Sequence, residues 1–249
     1  MSASPAVEPM PPLALLAGGL ASRLMPITAA IPKSMVEVAG EPFIAHQLRL
    51  LAREAITEVV LCVGHLGERI ESFVGDGARF GCHVRYSHDG VRPLGTGGAL
   101  RRALPLLGER FFVMYGDSYL DTRFRSVHEA FRRRGLPALM TVYRNAGRWD
   151  TSNVEFADGL IVRYDKARRT PAMLYIDYGL GLLDAGVVRA WPADTAFDLA
   201  DLYCGLAARR LLGGCEVRER FYEIGSPAGL AETDAFLRAA AAAAGGSGK

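Results

Sequence analysis

No apolar run in this chain approaches the ~18 residues that a membrane-spanning helix needs, so no transmembrane segment is expected. Charge of one sign is also lacking. Lys and Arg total 29 and Asp and Glu 27, a net charge of +2. That balance gives no case for a nucleic-acid or membrane field, and any basic patch must be local. Cysteine is scarce. Cys62, Cys82, Cys204 and Cys215 show no C-x-x-C spacing, and two of them sit in apolar runs. Free thiols in a reducing cytoplasm are the expectation. Two familiar nucleotide signatures are missing as well. There is no G-x-x-x-x-G-K-[ST], and no G-x-G-x-x-G at a strand end, which argues against a dinucleotide-dependent dehydrogenase. The Pro-, Ala- and Ser-rich stretch Met1–Pro12 has neither the charged start nor the long apolar run of a signal peptide, and we expect a disordered leader there. What is present is a globular composition, 50% hydrophobic and 22% charged over 249 residues, enough for one large core or two small ones.

The hydrophobic pattern alternates between strand and helix through the first 140 residues. Leu13–Ala17, Val59–Val63, Val84–Tyr86, Phe111–Tyr115 and Ala138–Val142 read as short, mostly buried strands. Pro42–Ala55, Glu68–Val74, Ala99–Leu107 and Val127–Arg134 carry helical stripes. That order predicts a mainly parallel sheet with helices on both faces. Past Thr141 the texture changes. Asn153–Phe156, Leu160–Tyr164 and Ile176–Leu183 are short strands split by turn residues, which predicts an antiparallel extension over the sheet. Asp198–Leu212 and Pro227–Ala243 read as helices, with Ser226-Pro227 as cap and first-turn proline of the second. Ala239–Lys249 is low-complexity and expected to fray.

Three segments carry candidate chemistry. The apolar run Leu13–Ala17 feeds Gly18-Gly19, and a loop with Arg23, Pro26, Pro32 and Lys33 follows. Glycines admit a ligand close to backbone N–H groups, prolines stiffen the loop, and a guanidinium with an ammonium suits a polyphosphate. An ordinary solvated loop has the same features. Leu94-Gly95-Thr96-Gly97-Gly98 enters a helix, where a flat base can lie or where the glycines merely start the turn. Asp117 follows a buried strand at its carboxyl end, the edge where open α/β sheets hold their ligands. A carboxylate there invites Mg²⁺, and it equally caps a helix.

The pattern A-G-G-x-x-x-R-L-x-P-x-T-x-x-x-P-K-x-M, running from Ala17 to Met35, resembles the signature of the sugar-1-phosphate nucleotidylyltransferases, with Ala21 where that family usually has a third glycine. Gly116-Asp117 and Glu223-Ile-Gly-Ser-Pro are similar to its two metal-carboxylate motifs, the second with Glu in place of the usual Asp. The resemblance implies a Rossmann-like α/β fold, residues 13–238, with a small antiparallel sugar-binding extension. It implies Ala17, Gly18, Gly19, Arg23, Lys33, Leu94, Gly95, Thr96 and Gly97 around the nucleotide, with Arg23 and Lys33 catalytic. It implies Glu155, Lys166, Asp177 and Gly179 around the sugar phosphate, and Asp117 with Glu223 on Mg²⁺. Asp177 stands where the family usually has Asn, so its hydrogen bonding is acceptor-only. The implied reaction joins a nucleoside triphosphate and a sugar 1-phosphate and releases pyrophosphate.

Leu-Gly-Thr-Gly-Gly is similar to guanylyltransferases of heptose and mannose 1-phosphates, which points to GTP with a heptose or manno-type acceptor. The stretch Val38–Asp117 also resembles N-acetylmuramate 1-phosphate uridylyltransferase, so a UTP- or CTP-dependent enzyme stays open, as does an inactive regulatory homologue. No hexapeptide period marks the β-helix domain that some relatives carry, and the oligomeric state is left open.

Overall fold

The computed structural model describes residues 8–19, 31–90 and 92–246. In chain order the elements are β1 (Leu13–Leu16), β2 (Glu37–Val38), β3 (Glu41–Pro42), α1 (Phe43–Arg53), β4 (Glu58–Val63), α2 (Gly67–Val74), β5 (His83–His88) and α3 (Gly95–Leu107). Then come β6 (Arg110–Tyr115), β7 (Ser118–Tyr119), α4 (Phe124–Arg134), β8 (Ala138–Tyr143), β9 (Val154–Ala157) and β10 (Leu160–Tyr164). The last are β11 (Ile176–Asp184), α5 (Ala185–Arg189), α6 (Leu199–Ala208), β12 (Leu212–Val217), β13 (Tyr222–Glu223) and α7 (Pro227–Gly246).

Among the described residues the main sheet runs β5-β4-β1-β6-β11-β8-β12-β10-β9. The first four strands are parallel, as the alternation of elements predicts. Both faces of these strands are apolar and both are covered. Leu13, Leu15, Val59, Leu61, Phe112 and Met114 face α1, α2 and α4. Ala14, Leu16, Val60, Cys62, Phe111 and Val113 face α3, α5 and α6. This double burial is why these strands read as continuous apolar runs rather than as alternating ones.

Four expectations need correction. Ile176–Asp184 does not extend over the sheet. It lies inside it as β11, antiparallel to both β6 and β8. Only β9 and β10 form the antiparallel edge. The predicted helix over Asp198–Leu212 stops at Ala208, and Leu212–Val217 is a strand parallel to β8. Gly213 and Gly214 hide that strand from a pattern of alternation, and Gly214 lacks a side chain because the Phe156 ring fills the space. At the amino terminus, residues 8–12 are tied down where a disordered leader was expected. Glu8 pairs with Arg132, Pro12 accepts a backbone bond of 2.8 Å from Phe112, and Met10 packs on the core. Residues 1–7 lie outside the described part. At the other end α7 continues to Gly246, through the segment expected to fray.

A third apolar cluster fixes the carboxyl-terminal region. Ile224 and Leu237 pack with Val38, Phe43, Leu50 and Tyr119. Ser226 starts α7 as predicted, its Oγ accepting from the Gly229 N–H at 3.0 Å. All four cysteines are free.

Candidate active site

The carboxyl ends of β4, β1 and β6 share one edge of the sheet, and β11, running the other way, brings its first residues to the same edge. Two cavities open there. The smaller, about 350 Å³, is walled by Ala17, Gly18, Gly19, Cys62, Asp89, Pro93, Gly95, Thr96, Ala99 and Gly116, among others. The larger, about 660 Å³, includes Trp149, Asn153, Lys166, Asp177, Tyr178, Gly179, Arg220 and Glu223 in its wall. Lys33, Tyr115 and Asp117 line both.

Lys33 begins a 3₁₀ turn after Pro32, and its Nζ donates to Asp117 Oδ2 at 2.7 Å. The pair stays reachable, with Lys33 17% and Asp117 36% exposed. Asp117 is set beside Glu223 by a short ladder. β7 pairs with β13, Ser118 opposite Glu223, and the Ile224 N–H donates to the Asp117 carbonyl at 2.9 Å. Glu223 is held by the turn that follows it. Its carboxylate accepts from the Gly225 N–H and, at 2.7 Å, from Ser226 Oγ. Lys33, Asp117 and Glu223 surround one bare glycine. A side-chain carbon on Gly225 would lie 3.0 Å from Lys33 Nζ and 3.6 Å from Asp117 Oδ2, and it would collide with Glu223 Oε2.

Two converging carboxylates suit a hard cation that draws its remaining ligands from substrate oxygens. Among the described residues no three of His, Cys, Asp and Glu gather into a cage that would hold a metal alone. A hard cation held by Asp117 and Glu223 would therefore need further ligands beyond these two carboxylates.

On the larger cavity, β11 slips register between Asp177 and Gly181. Gly179 sits at φ +100°, a conformation open to glycine, and the bulge turns Asp177 into the wall. Asp177 accepts from the Gly179 N–H at 3.0 Å and from the Tyr164 hydroxyl at 3.2 Å, and its own N–H donates to Asn153 Oδ1 at 3.1 Å. Burial pushes its carboxyl above the usual range, against the Lys166 charge and these hydrogen bonds, which act downwards. Lys166 follows β10, in a turn pinned by Asp165, whose carboxylate accepts from the Ala167 and Arg168 amides at 2.9 and 2.7 Å. Those amides hold Asp165 below the ordinary carboxylate range.

Three residues expected at the site are not in the walls of these cavities. Glu155 is not in the wall of the larger cavity, where Asn153 stands instead. Leu94 and Gly97 are not in the wall of the smaller one. Leu94 is buried, and its carbonyl accepts from the Phe197 N–H at 3.0 Å. Gly97 is pressed against the Phe197 ring and donates to the Phe197 carbonyl at 3.0 Å. The glycines of this loop answer a packing need. A carbon on Gly95 would approach the Phe197 carbonyl oxygen to 2.5 Å, and one on Gly98 would approach the Thr195 carbonyl to 2.7 Å. Thr96 lines the cavity, but its hydroxyl is committed to the start of α6, accepting from the Leu199 N–H at 2.8 Å and donating to Asp198 at 3.0 Å. Arg23 falls outside the described residues.

Sequence reasoning missed Asp89, Asn153, Trp149 and Arg220. The Arg220 guanidinium lies 3.5 Å from the centre of the Trp149 ring, and Trp149 is one of the few large apolar side chains left exposed. An aromatic and a cation 71 positions apart give no local signal. Asp89 follows a strand as Asp117 does, and that parallel was available.

Residues 14–151 match the nucleotidyl transferase family. N-acetylmuramate alpha-1-phosphate uridylyltransferase of Neisseria meningitidis is 37% identical over 116 residues, 46% of this chain and 50% of that protein. Mannose-1-phosphate guanyltransferase beta-A of Xenopus laevis is 26% identical over 220 residues, 86% of this chain and 61% of that protein. The chain thus spans about half to three-fifths of the length of these relatives. HddC from Yersinia pseudotuberculosis, solved with GMP-PN, superposes with a TM-score of 0.75 at 21% identity, covering 92% of this chain and 100% of that one, and so shares the fold. By sequence, and with a fold to match, this chain belongs to the nucleotidyl transferase family.

Proposed function

We propose that the protein transfers the nucleoside monophosphate of a nucleoside triphosphate to a sugar 1-phosphate, with release of pyrophosphate. The observation that carries this reading is the junction of the two cavities at Lys33, Tyr115 and Asp117. A nucleotide in the smaller cavity and a sugar phosphate in the larger would meet there. A phosphate oxygen of the sugar attacks the α-phosphorus, the bond from that phosphorus to the bridging oxygen breaks, and pyrophosphate leaves with the electron pair. The attacking oxygen is already anionic, so no general base is needed. Catalysis is positioning and charge neutralisation.

Lys33 neutralises charge at the α-phosphate, Lys166 anchors the incoming phosphate, and Asp177 and Gly179 face the sugar. Arg23 is assigned to the triphosphate from the sequence motif. Asp117 and Glu223 would hold Mg²⁺, which when bound supplies positive charge to the phosphate oxygens. The relatives named above act on different bases, and GTP with a heptose or manno-type 1-phosphate is the reading favoured here. The four free thiols support a cytoplasmic setting.

The test is pyrophosphate release from a panel of nucleoside triphosphates and sugar 1-phosphates, with Mg²⁺ and with EDTA. Release with at least one pair, abolished by EDTA, is expected. No release from any pair would overturn the transfer reading, and full turnover in EDTA would overturn the metal assignment.

A further inference from the structure

Gln47 is a fully buried amide in α1 that the proposed chemistry does not use. Its Nε2 donates to the Ser118 carbonyl at 2.8 Å and to the Tyr115 carbonyl at 3.3 Å. Those two carbonyls flank Gly116-Asp117, so the amide spans the turn that carries the candidate carboxylate. The turn is also pressed against β1. The Gly116 N–H donates to the Leu16 carbonyl at 3.0 Å, and a side-chain carbon on Gly116 would come within 2.6 Å of that same oxygen. Gln47 Oε1 is buried and has no hydrogen-bond partner among the described residues. A buried acceptor left unpaired costs stability. Leu48 and Leu51 of the same helix fill the core without that cost. What the amide provides and a leucine cannot is its donor end, and both donors go to the Asp117 turn.

The start of α1 is tied to Lys33. The Phe43 N–H donates to the Val36 carbonyl at 3.0 Å, and the Val36 N–H donates to the Lys33 carbonyl at 3.1 Å. Phe43 lies one helical turn before Gln47. The helix is fixed along its length. Ile44, Leu48 and Leu51 belong to the main core, while Phe43 and Leu50 pack with Tyr119 and Ile224. Hydrogen bonds therefore lead from Lys33 through the first turn of α1 to both sides of Asp117. The Lys33–Asp117 bond of 2.7 Å closes that circuit.

We infer that Gln47 is a positioning residue that sets the Lys33–Asp117 pair. It is outside both cavity walls and acts through the backbone on either side of Asp117. The inference rests on the proposed function only in giving that pair a reaction to perform. Both cavities meet at the pair, so a shift of Asp117 against Lys33 misplaces charge where the two substrates would join.

The test reads spacing and turnover separately. Spacing is read as the rate at which acetic anhydride labels Lys33, followed by mass spectrometry, with Lys166 as internal reference. Lys33 must give up its contact with Asp117 to react. Gln47→Met fills similar space without a donor, and its Lys33 should label at least ~5-fold faster than that of wild type. Its kcat should fall ~10–100-fold, the scale of a misplaced group, with KM for the nucleoside triphosphate within about three-fold and melting little changed. Gln47→Glu guards against a misfolded Met variant and supplies a rescue. In base its buried carboxylate repels the two carbonyls, while in acid the protonated group donates to one of them. Its kcat relative to wild type should climb at least ~5-fold from about pH 9 to about pH 6, which a loss of packing would not produce. Unchanged Lys33 labelling in both variants, an unchanged kcat in Gln47→Met, or no recovery of Gln47→Glu in acid overturns the assignment. Faster labelling in the variants, with no pyrophosphate release by wild type from any substrate pair, would keep Gln47 as the residue that sets the pair and overturn the transfer reading.

Discussion

Ala17, Gly18, Gly19, Gly95, Ala99 and Gly116 give the smaller cavity walls of backbone and small side chains, whereas Trp149, Asn153, Lys166, Asp177, Tyr178 and Arg220 give the larger one walls of long polar and aromatic groups. The first is shaped by where strands end. The second is shaped by side chains from six separated stretches of chain, including the loop before β9, the turn after β10, the bulge of β11 and the segments around β13. A backbone wall changes little when residues are exchanged, while a side-chain wall is rewritten by each exchange. In the proposed transfer, the nucleotide would lie against the backbone wall and the sugar phosphate against the side-chain wall. Asp177 and Glu223, two of the departures from the family pattern, both lie in the larger.

The comparison can be broken first at the junction. Asp117→Asn should lower kcat by at least ~100-fold, the scale of losing one charge-stabilising group, with little change in melting temperature. Unimpaired turnover would detach the junction from the reaction. Lys166→Ala tests whether the two cavities are separate. KM for the sugar phosphate should rise by roughly one to two decades, the equivalent of ~1.5–3 kcal/mol for a charge-assisted contact. Nucleotide affinity should hold, and equal weakening of both substrates would merge the cavities. Gly97→Ala tests whether the loop beside the smaller cavity is built for packing. The added carbon runs into the Phe197 ring, and a destabilisation of about 1–3 kcal/mol is expected. The melting temperature should fall by roughly 2–4 °C per kcal/mol, with part recovered by Phe197→Leu in the same chain. Unchanged melting with weakened nucleotide binding would return Gly97 to a ligand role.

The smallest effect concerns Asp177. Burial holds its folded pKa above the unfolded value. Between those two values the folded chain binds more protons, so stability rises as pH falls through the folded pKa, and the cost of the buried charge is fully in force above it. Asp177→Asn should therefore raise the melting temperature at neutral pH, by roughly 2–4 °C for each kcal/mol recovered. The gain should shrink as pH approaches the ordinary Asp value of about 3.9. A loss of stability at neutral pH would mean that the carboxylate's hydrogen bonds outweigh its burial.

The parallel half of the sheet was legible because its strands are apolar on both faces and end in glycine or acidic signals that sit next to each other in the chain. Lys33 and Asp117 were singled out for that reason, and the structure brings them into contact. β12 was not, because Gly213 and Gly214 erase the alternation that marks a strand. The Leu94–Gly98 loop was read as a ligand loop because a glycine needed for a ligand and a glycine needed for a neighbouring ring look alike in sequence. Only the position of Phe197, about 100 residues later, separates them. Glu155 is absent from the wall of the larger cavity for a related cause. An acidic residue in a short strand does not say which wall it faces.

The placement of β11 between β6 and β8 has a consequence for the order of assembly. β8 has sheet partners only in β11 and β12 among the described residues, and both come later in the chain. β5, β4, β1 and β6 can pair among themselves once residue 115 has been made. Ala138–Tyr143 cannot join them until Ile176–Asp184 arrives. During synthesis the open flank of β6 and the whole of β8 wait, apolar and unpaired, for more than thirty further residues. Long-range pairings of this kind form slowly and leave strands exposed to wrong partners. The strand that delivers Asp177 to the larger cavity is thus also the wedge that closes the sheet.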